Sequence, residues 1–181
     1  MEFNELKPYL IPKILEWVDE QRKLHLSRAR ALSDEEKSIL EKYFERRIID
    51  SVKIAIVDSI TNPKFYPELI KQGITIPLDF SNAAGVALVD CILLRRSPLD
   101  DLTSRISTIF HELIHIVQIE ILGLEKMAQL YLSSFLQEGY LNVPFERQAY
   151  RLSARFNRGE SFFAKEIVEQ ELKHFLATKK L

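Results

Sequence analysis

Cysteine is nearly absent from this 181-residue chain, glycine is scarce at five residues, neither sign of charge is in surplus, and no hydrophobic run is long. Each shortage excludes something. The single Cys91 has no partner for an internal disulfide, and within the apolar stretch 85–94 a reduced, core-packed thiol is expected, which fits the cytoplasm. Lys and Arg total 25 against 26 Asp and Glu, interspersed along the chain, so the basic footprint of a nucleic-acid-binding protein is missing. Asp90, Arg95 with Arg96, and His111 with Glu112 interrupt the apolar runs, and none reaches the roughly 18 residues of a membrane span. The opening MEFNELKPYLIPKILEWVDE has early acids and internal prolines, unlike a signal or transit peptide. With no repeat and no low-complexity tract, the expectation is one soluble, cytoplasmic domain over residues 1–181. Oligomeric state is not legible.

What is present reads as helices, then strands, then helices. Apolar residues at mixed three and four spacing suggest an amphipathic helix from Ile11 to about Arg30. SDEE, with Ser33 and Glu36, has the form of a capping box and starts a helix expected to run to Ile49. The β-branched VKIAIVDSI, residues 52–60, reads as a strand, followed by the turn-rich loop TNPKFYPEL and a weak extended stretch at 74–80. GVALVDCILL, residues 85–94, reads as a further strand. From Asp100 a helical pattern runs to Leu122, with Gly123 as its cap. Further helices are expected over 124–137, over 144–156 with Pro144 in its first turn, and through ESFFAKEIVEQELKHFLATK. This order implies an α+β fold: N-terminal helices over 1–50, strands over 52–94, and a long helix followed by others over 100–177.

The chemistry concentrates in FHELIHIVQ. His111 and His115 are four apart, so on a helix both imidazoles stand on one face and can converge on a single metal ion. Zinc accepts such nitrogen ligands, and a catalytic zinc site has three protein ligands with one position left for water. Glu112 projects to the side of that point, where its carboxylate can take a proton from an attacking water as general base. The stretch matches H-E-x-x-H, the motif of zinc metallopeptidases. Its alternative is a pair of satisfied core histidines, but burying three polar side chains without partners in an apolar helix costs several kcal/mol.

A third ligand has two candidates: Glu146, in VPFERQAY, and Glu138, in LQEGYL. Glu146 is favoured because Ala149, three residues on, is small enough to let its helix pass close to the histidine helix. His174 lies far along the chain in an expected surface helix. Tyr150, one turn after Glu146, is a candidate oxyanion donor, with Tyr140 behind it. Gln118, on the ligand side of the helix, is a candidate partner for a liganding histidine. Arg95 and Arg96 could hold a substrate carboxylate, although a solvated strand end explains them as well. Cys91 lacks the adjacent base a nucleophile needs.

FHELIHIVQ followed by a helical hairpin and VPFERQAYRL resembles the gluzincin branch of the zincin-like metallopeptidases, in particular small single-domain bacterial members with a later glutamate in an E-x-x-A setting. The resemblance extends from Ser33 to Phe156. It implies a zincin-like fold, with helices on a small, mostly antiparallel sheet and a long metal-binding helix, Zn2+ on His111, His115 and Glu146, Glu112 as general base, and a peptide or protein substrate. It also implies that strand 85–94 flanks the cleft and pairs with extended substrate. The chain departs from thermolysin-like members in the longer gap between His115 and Glu146. A second reading keeps the same scaffold without catalysis, binding a peptide or protein partner around a structural or regulatory metal.

Overall fold

The computed structural model describes residues 3–73, 79–96, 101–139 and 142–178, without the side chains of 3–5 and 136–138. In chain order the elements are α1 (Phe3–Leu26), β1 (Arg30–Ala31), α2 (Asp34–Leu40), α3 (Arg46–Ser51), β2 (Lys53–Val57), α4 (Tyr66–Lys71), β3 (Gly85–Leu88), β4 (Cys91–Arg95), α5 (Leu102–Leu122), α6 (Leu124–Glu138), α7 (Pro144–Asn157) and α8 (Ala164–Thr178). The fold is α+β, as the order of patterns implies.

The sheet is small and mixed, in the order β1-β2-β4-β3. β1 and β2 are antiparallel, as are β3 and β4, whereas β2 and β4 run parallel from Lys53↔Cys91 to Val57↔Arg95. Alternation along the central strands divides the core between two faces. Ile54, Ile92 and Leu94 join the cluster that includes Ile109, Leu113 and Val117 of α5. Ala55, Val57, Cys91 and Leu93 turn the other way, onto Trp17 and Val18 of α1. Cys91 is fully buried and burial pushes its thiol up to about 11, so it is an inert core residue.

α5 is buried almost all round, which is the environment its apolar sequence calls for. Asp101 caps its first turn by accepting from the Ser104 amide at 2.7 Å. Phe110 fixes its rotation: the ring stacks on Phe156 with centroids 4.3 Å apart and packs on Phe44 at 5.0 Å. Gly123, at φ 79°, ends α5 and permits a 114° bend into α6, a backbone angle that a side-chain-bearing residue adopts at a cost. Pro144 opens α7 at its first turn. Among the described residues no single helix is long and apolar enough to cross a membrane.

Several expectations are corrected. GVALVDCILL is not one strand but a hairpin, β3 and β4, joined through a three-residue turn in which the Asp90 amide donates to the Leu88 carbonyl at 2.9 Å. Val89 takes φ 66° there, a conformation that a β-branched residue resists, so nothing in the apolar run signals a reversal. Asp90 is held from outside by Arg22, whose Nε and terminal nitrogen donate to its two carboxylate oxygens at 2.5 and 2.6 Å. The helix from the capping box ends at Leu40, and the chain turns before α3 begins, which lets Tyr43 and Phe44 enter the aromatic cluster instead of continuing around a helix. α1 extends from Phe3 through Pro8 and Pro12 and stops at Leu26. Burial of Leu6, Leu10 and Ile11 against Phe65, Leu69 and Leu132 offsets the backbone bonds those prolines remove. The turn-rich stretch after β2 contains α4, with Pro67 at its start. Of the weak stretch 74–80, residues 74–78 lie outside the described residues.

The capping box at Ser33 is complete: Ser33 Oγ accepts from the Glu36 amide at 3.2 Å and Glu36 Oε2 accepts from the Ser33 amide at 2.7 Å. Glu36 is fully buried and also accepts from Arg30 at 2.7 Å and Arg105 at 3.3 Å, tying β1 and α2 to the first turns of α5. Burial alone would raise its pKa, but the hydrogen bonds from Arg30 and Ser33 outweigh it and hold the carboxyl below its usual range. Its contribution to stability is therefore complete above the unfolded-state value near 4.5 and is lost as pH falls through the depressed folded value. Glu36→Ala is expected to lower stability at neutral pH by about 3 kcal/mol, at the low end for a broken buried pair because Arg30 is partly exposed. Denaturant titrations should show the gap between variant and wild type narrowing below pH 4.5, and a constant gap would contradict this role.

Candidate metal centre

Three side chains expected to meet do meet. His111 Nε2 and His115 Nε2 are 3.2 Å apart, Glu146 Oε2 is 3.5 Å from the first, and Glu146 Oε1 is 3.4 Å from the second. Two turns of geometry produce this. On α5 the four-residue spacing stacks the imidazoles on one face, with ring centroids 4.9 Å apart. On α7 the first-turn Glu146 reaches across, because the fully buried Ala149 on the same face lets the two helices approach closely. Among the described residues, His111, His115 and Glu146 form a group that could hold a metal ion.

The spacing of the three donor atoms tests that fit. Zinc bonds of about 2.0–2.1 Å directed to the corners of a tetrahedron separate the ligand atoms by about 3.3–3.4 Å. The two imidazole nitrogens, 3.2 Å apart, lie close to that value, and each faces a different oxygen of the one Glu146 carboxylate, at 3.5 Å for His111 and 3.4 Å for His115. Imidazole nitrogens and a carboxylate oxygen are also the donors that zinc accepts.

The electrostatics favour positive charge at the same point. Burial opposes a charged His115, but the Glu146 carboxylate beside it outweighs that effect and shifts its pKa upward, with Glu112 and Gln118 adding to it. Burial likewise opposes a charged Glu146, yet His115 and His111 hold it well below the usual carboxylate range. Glu112 goes the other way. It is buried, and loss of solvent raises its pKa against the opposing influence of His115 and His111. The backbone of Ala87 on β3 opposes that rise slightly. A carboxylate so placed is a better proton acceptor than one in water.

β3 lies directly against Glu112. A β-carbon at Gly85 would lie 3.0 Å from both Cγ and Oε1 of Glu112 and 3.1 Å from Thr108 Cγ2, so any larger residue here makes those side chains give by a few tenths of an ångström.

The other expected residues divide. Gln118 is the partner of His115: its Oε1 lies 2.8 Å from His115 Nδ1. Tyr150 packs its ring on His111 at 4.6 Å between centroids and is half exposed, which places it at the rim. Arg96 pairs with Asp58 at 3.0 Å at the end of the sheet, and Arg95 is exposed, consistent with a solvated strand end. His174 is exposed on α8. The side chain of Glu138 and all of Tyr140 lie outside the described residues.

Two partners of the site were not legible. Tyr131 on α6 donates to Glu146 Oε1 at 2.9 Å, and no spacing rule links a residue in QLYLSSF to a glutamate fifteen positions later. Gln148 donates and accepts behind the site, and its signal, a glutamine on the buried face of an amphipathic helix, is weak.

No protein-family model matches the chain, and neither does any curated protein sequence or solved structure. The geometry therefore carries the reading by itself.

Gly85→Ala is expected to displace either Glu112 or β3 and to lower stability by about 1–3 kcal/mol, as overpacking does. Chemical denaturation measures this, and unchanged stability would show that β3 does not press on Glu112.

Proposed function

We propose that the protein is a zinc-dependent hydrolase of the metallopeptidase class, with His111, His115 and Glu146 as metal ligands and Glu112 as general base. One observation carries the reading: two imidazole nitrogens 3.2 Å apart on one helix face the two oxygens of a carboxylate from another at 3.5 and 3.4 Å, a group that could hold a metal ion, beside a buried carboxylate of raised proton affinity. A three-donor group leaves room for water and substrate, whereas a structural zinc is closed by four protein ligands. The zincin-like, gluzincin-type assignment belongs to the same proposal. Its support is the H-E-x-x-H helix α5, the strand β3 beside it, and a later glutamate on α7.

When bound, zinc supplies Lewis acidity that polarises a substrate carbonyl and lowers the pKa of water toward neutrality. Glu112 accepts the proton of the attacking water at its carboxylate and returns it to the leaving amide nitrogen. Tyr131 steadies Glu146, to which it donates at 2.9 Å. β2 and β4 are paired on both sides; of the two edges of the described sheet, β3 is the one beside Glu112 and is the strand to which an extended peptide would add. Tyr150, at the rim, is positioned to contact the polarised oxygen.

Purified protein is expected to bind about one zinc per chain, measured by elemental analysis after dialysis, and to cleave members of a peptide library. Glu112→Gln should retain zinc and lose at least about 100-fold in kcat/KM, the lower range for a removed general base. His111→Ala should lose both metal and turnover. Cleavage by Glu112→Gln at the wild-type rate, or turnover that survives zinc removal, would overturn the assignment.

A further inference from the structure

Behind His115 a line of hydrogen bonds leaves the site and reaches the surface. His115 Nδ1 lies 2.8 Å from Gln118 Oε1. Gln118 Nε2 donates to the Phe145 carbonyl at 3.1 Å and to Gln148 Oε1 at 2.9 Å. Gln148 Nε2 donates to Glu171 Oε2 at 2.7 Å, and Arg151 donates to both oxygens of Glu171 at 2.5 Å. Gln118 is fully buried and Gln148 nearly so, while Glu171 is partly exposed on α8.

This line has a direction. An ionised carboxylate only accepts, so Gln148 must turn its amide nitrogen to Glu171 and its oxygen to Gln118. A backbone carbonyl also only accepts, so Gln118 must spend one amide hydrogen on Phe145 and the other on Gln148. Its oxygen is then left for His115, where the matching partner is a protonated Nδ1.

We propose that Glu171 and Gln148 are positioning residues that act through Gln118, alongside the Phe145 carbonyl, to hold His115 in the form protonated at Nδ1, leaving the Nε2 lone pair facing His111 Nε2 and Glu146. The functional consequence rests on the zinc reading above, because a histidine ligates only through an unprotonated nitrogen. The tautomer itself does not rest on it. α8 thereby contributes to the state of His115 through a line of hydrogen bonds.

The decisive substitutions change the polarity of the surface end. Glu171→Lys presents a donor where an acceptor stood, turns the Gln148 amide about, and sets nitrogen against nitrogen at Gln118. Glu171→Gln keeps an acceptor oxygen and serves as the conservative rescue. In metal-free protein at alkaline pH, where the ring is neutral, the 15N shifts of the His115 ring report which nitrogen carries the proton. Wild type and Glu171→Gln are expected to show the Nδ1-protonated form, whereas Glu171→Lys shows a mixture or the Nε2-protonated form. The zinc dissociation constant of Glu171→Lys should rise about tenfold, the lower range for loss of a ligand's supporting partner. If Glu171→Lys does not fold, Gln148→Met removes the middle of the line with similar volume and leaves the Phe145 carbonyl alone to orient Gln118, so the Nε2-protonated fraction should rise above wild type, though less than with a reversed donor. An unchanged tautomer in the folded variants overturns the proposal even if zinc binds normally. A shifted tautomer sustains it even in a protein that binds no zinc, so the two readings fail separately. Equal disturbance by Glu171→Gln and Glu171→Lys would also overturn it, since polarity would then not be the cause.

Discussion

Two imidazoles and a carboxylate share a buried space between α5 and α7, and the rest of the fold is arranged around that fact. Polar groups removed from water cost free energy unless they are satisfied, and a charged group costs more than a neutral one. Here each donor atom faces another, and His115 and Glu146 shift toward their charged forms because each needs the other. A divalent cation resolves the same crowding of lone pairs more completely than a proton can. The neighbouring groups serve this arrangement. Tyr131 fixes Glu146, Gln118 fixes His115, and the aromatic stack on Phe110 fixes the rotation of the helix that carries both histidines.

The scaffold brings these groups together by few means. The bend at Gly123 sends α6 away from α5, and α7 then returns with Glu146 in its first turn. Ala149 permits the close approach, and Gly85 permits it on the opposite side, where β3 meets Glu112. Small residues at two close approaches, rather than large ones filling a core, thus decide how near the helix α7 and the strand β3 come to the polar face of α5. Arg22 holding Asp90 and Glu36 holding Arg105 act at longer range, fixing the hairpin turn and the start of α5.

Much of this was legible in the residues. The four-residue spacing of His111 and His115 placed them on one face before any coordinates, and the capping box at Ser33, Gly123 after α5 and Pro144 before α7 marked boundaries through local backbone chemistry. Glu146 was reached by its helix position and its small neighbour. What stayed hidden was non-local or strained. The hairpin turn at Val89 adopts a backbone angle its side chain disfavours, so an uninterrupted apolar run conceals two strands. The break between α2 and α3 is imposed by the aromatic cluster, not by a breaker in EKYFE. Tyr131, Gln148 and Glu171 join the site through contacts between helices, and helical periodicity says only which face a residue occupies, not what lies opposite.

The central claim is that a single ion is held by two imidazoles and one carboxylate. X-ray absorption at the zinc edge on stoichiometrically loaded protein tests it most directly. Two imidazole rings are expected in the outer-shell scattering, with all first-shell donors being nitrogen or oxygen at about 2.0–2.1 Å. A sulfur donor at about 2.3 Å, or a spectrum with fewer than two imidazoles, would contradict it.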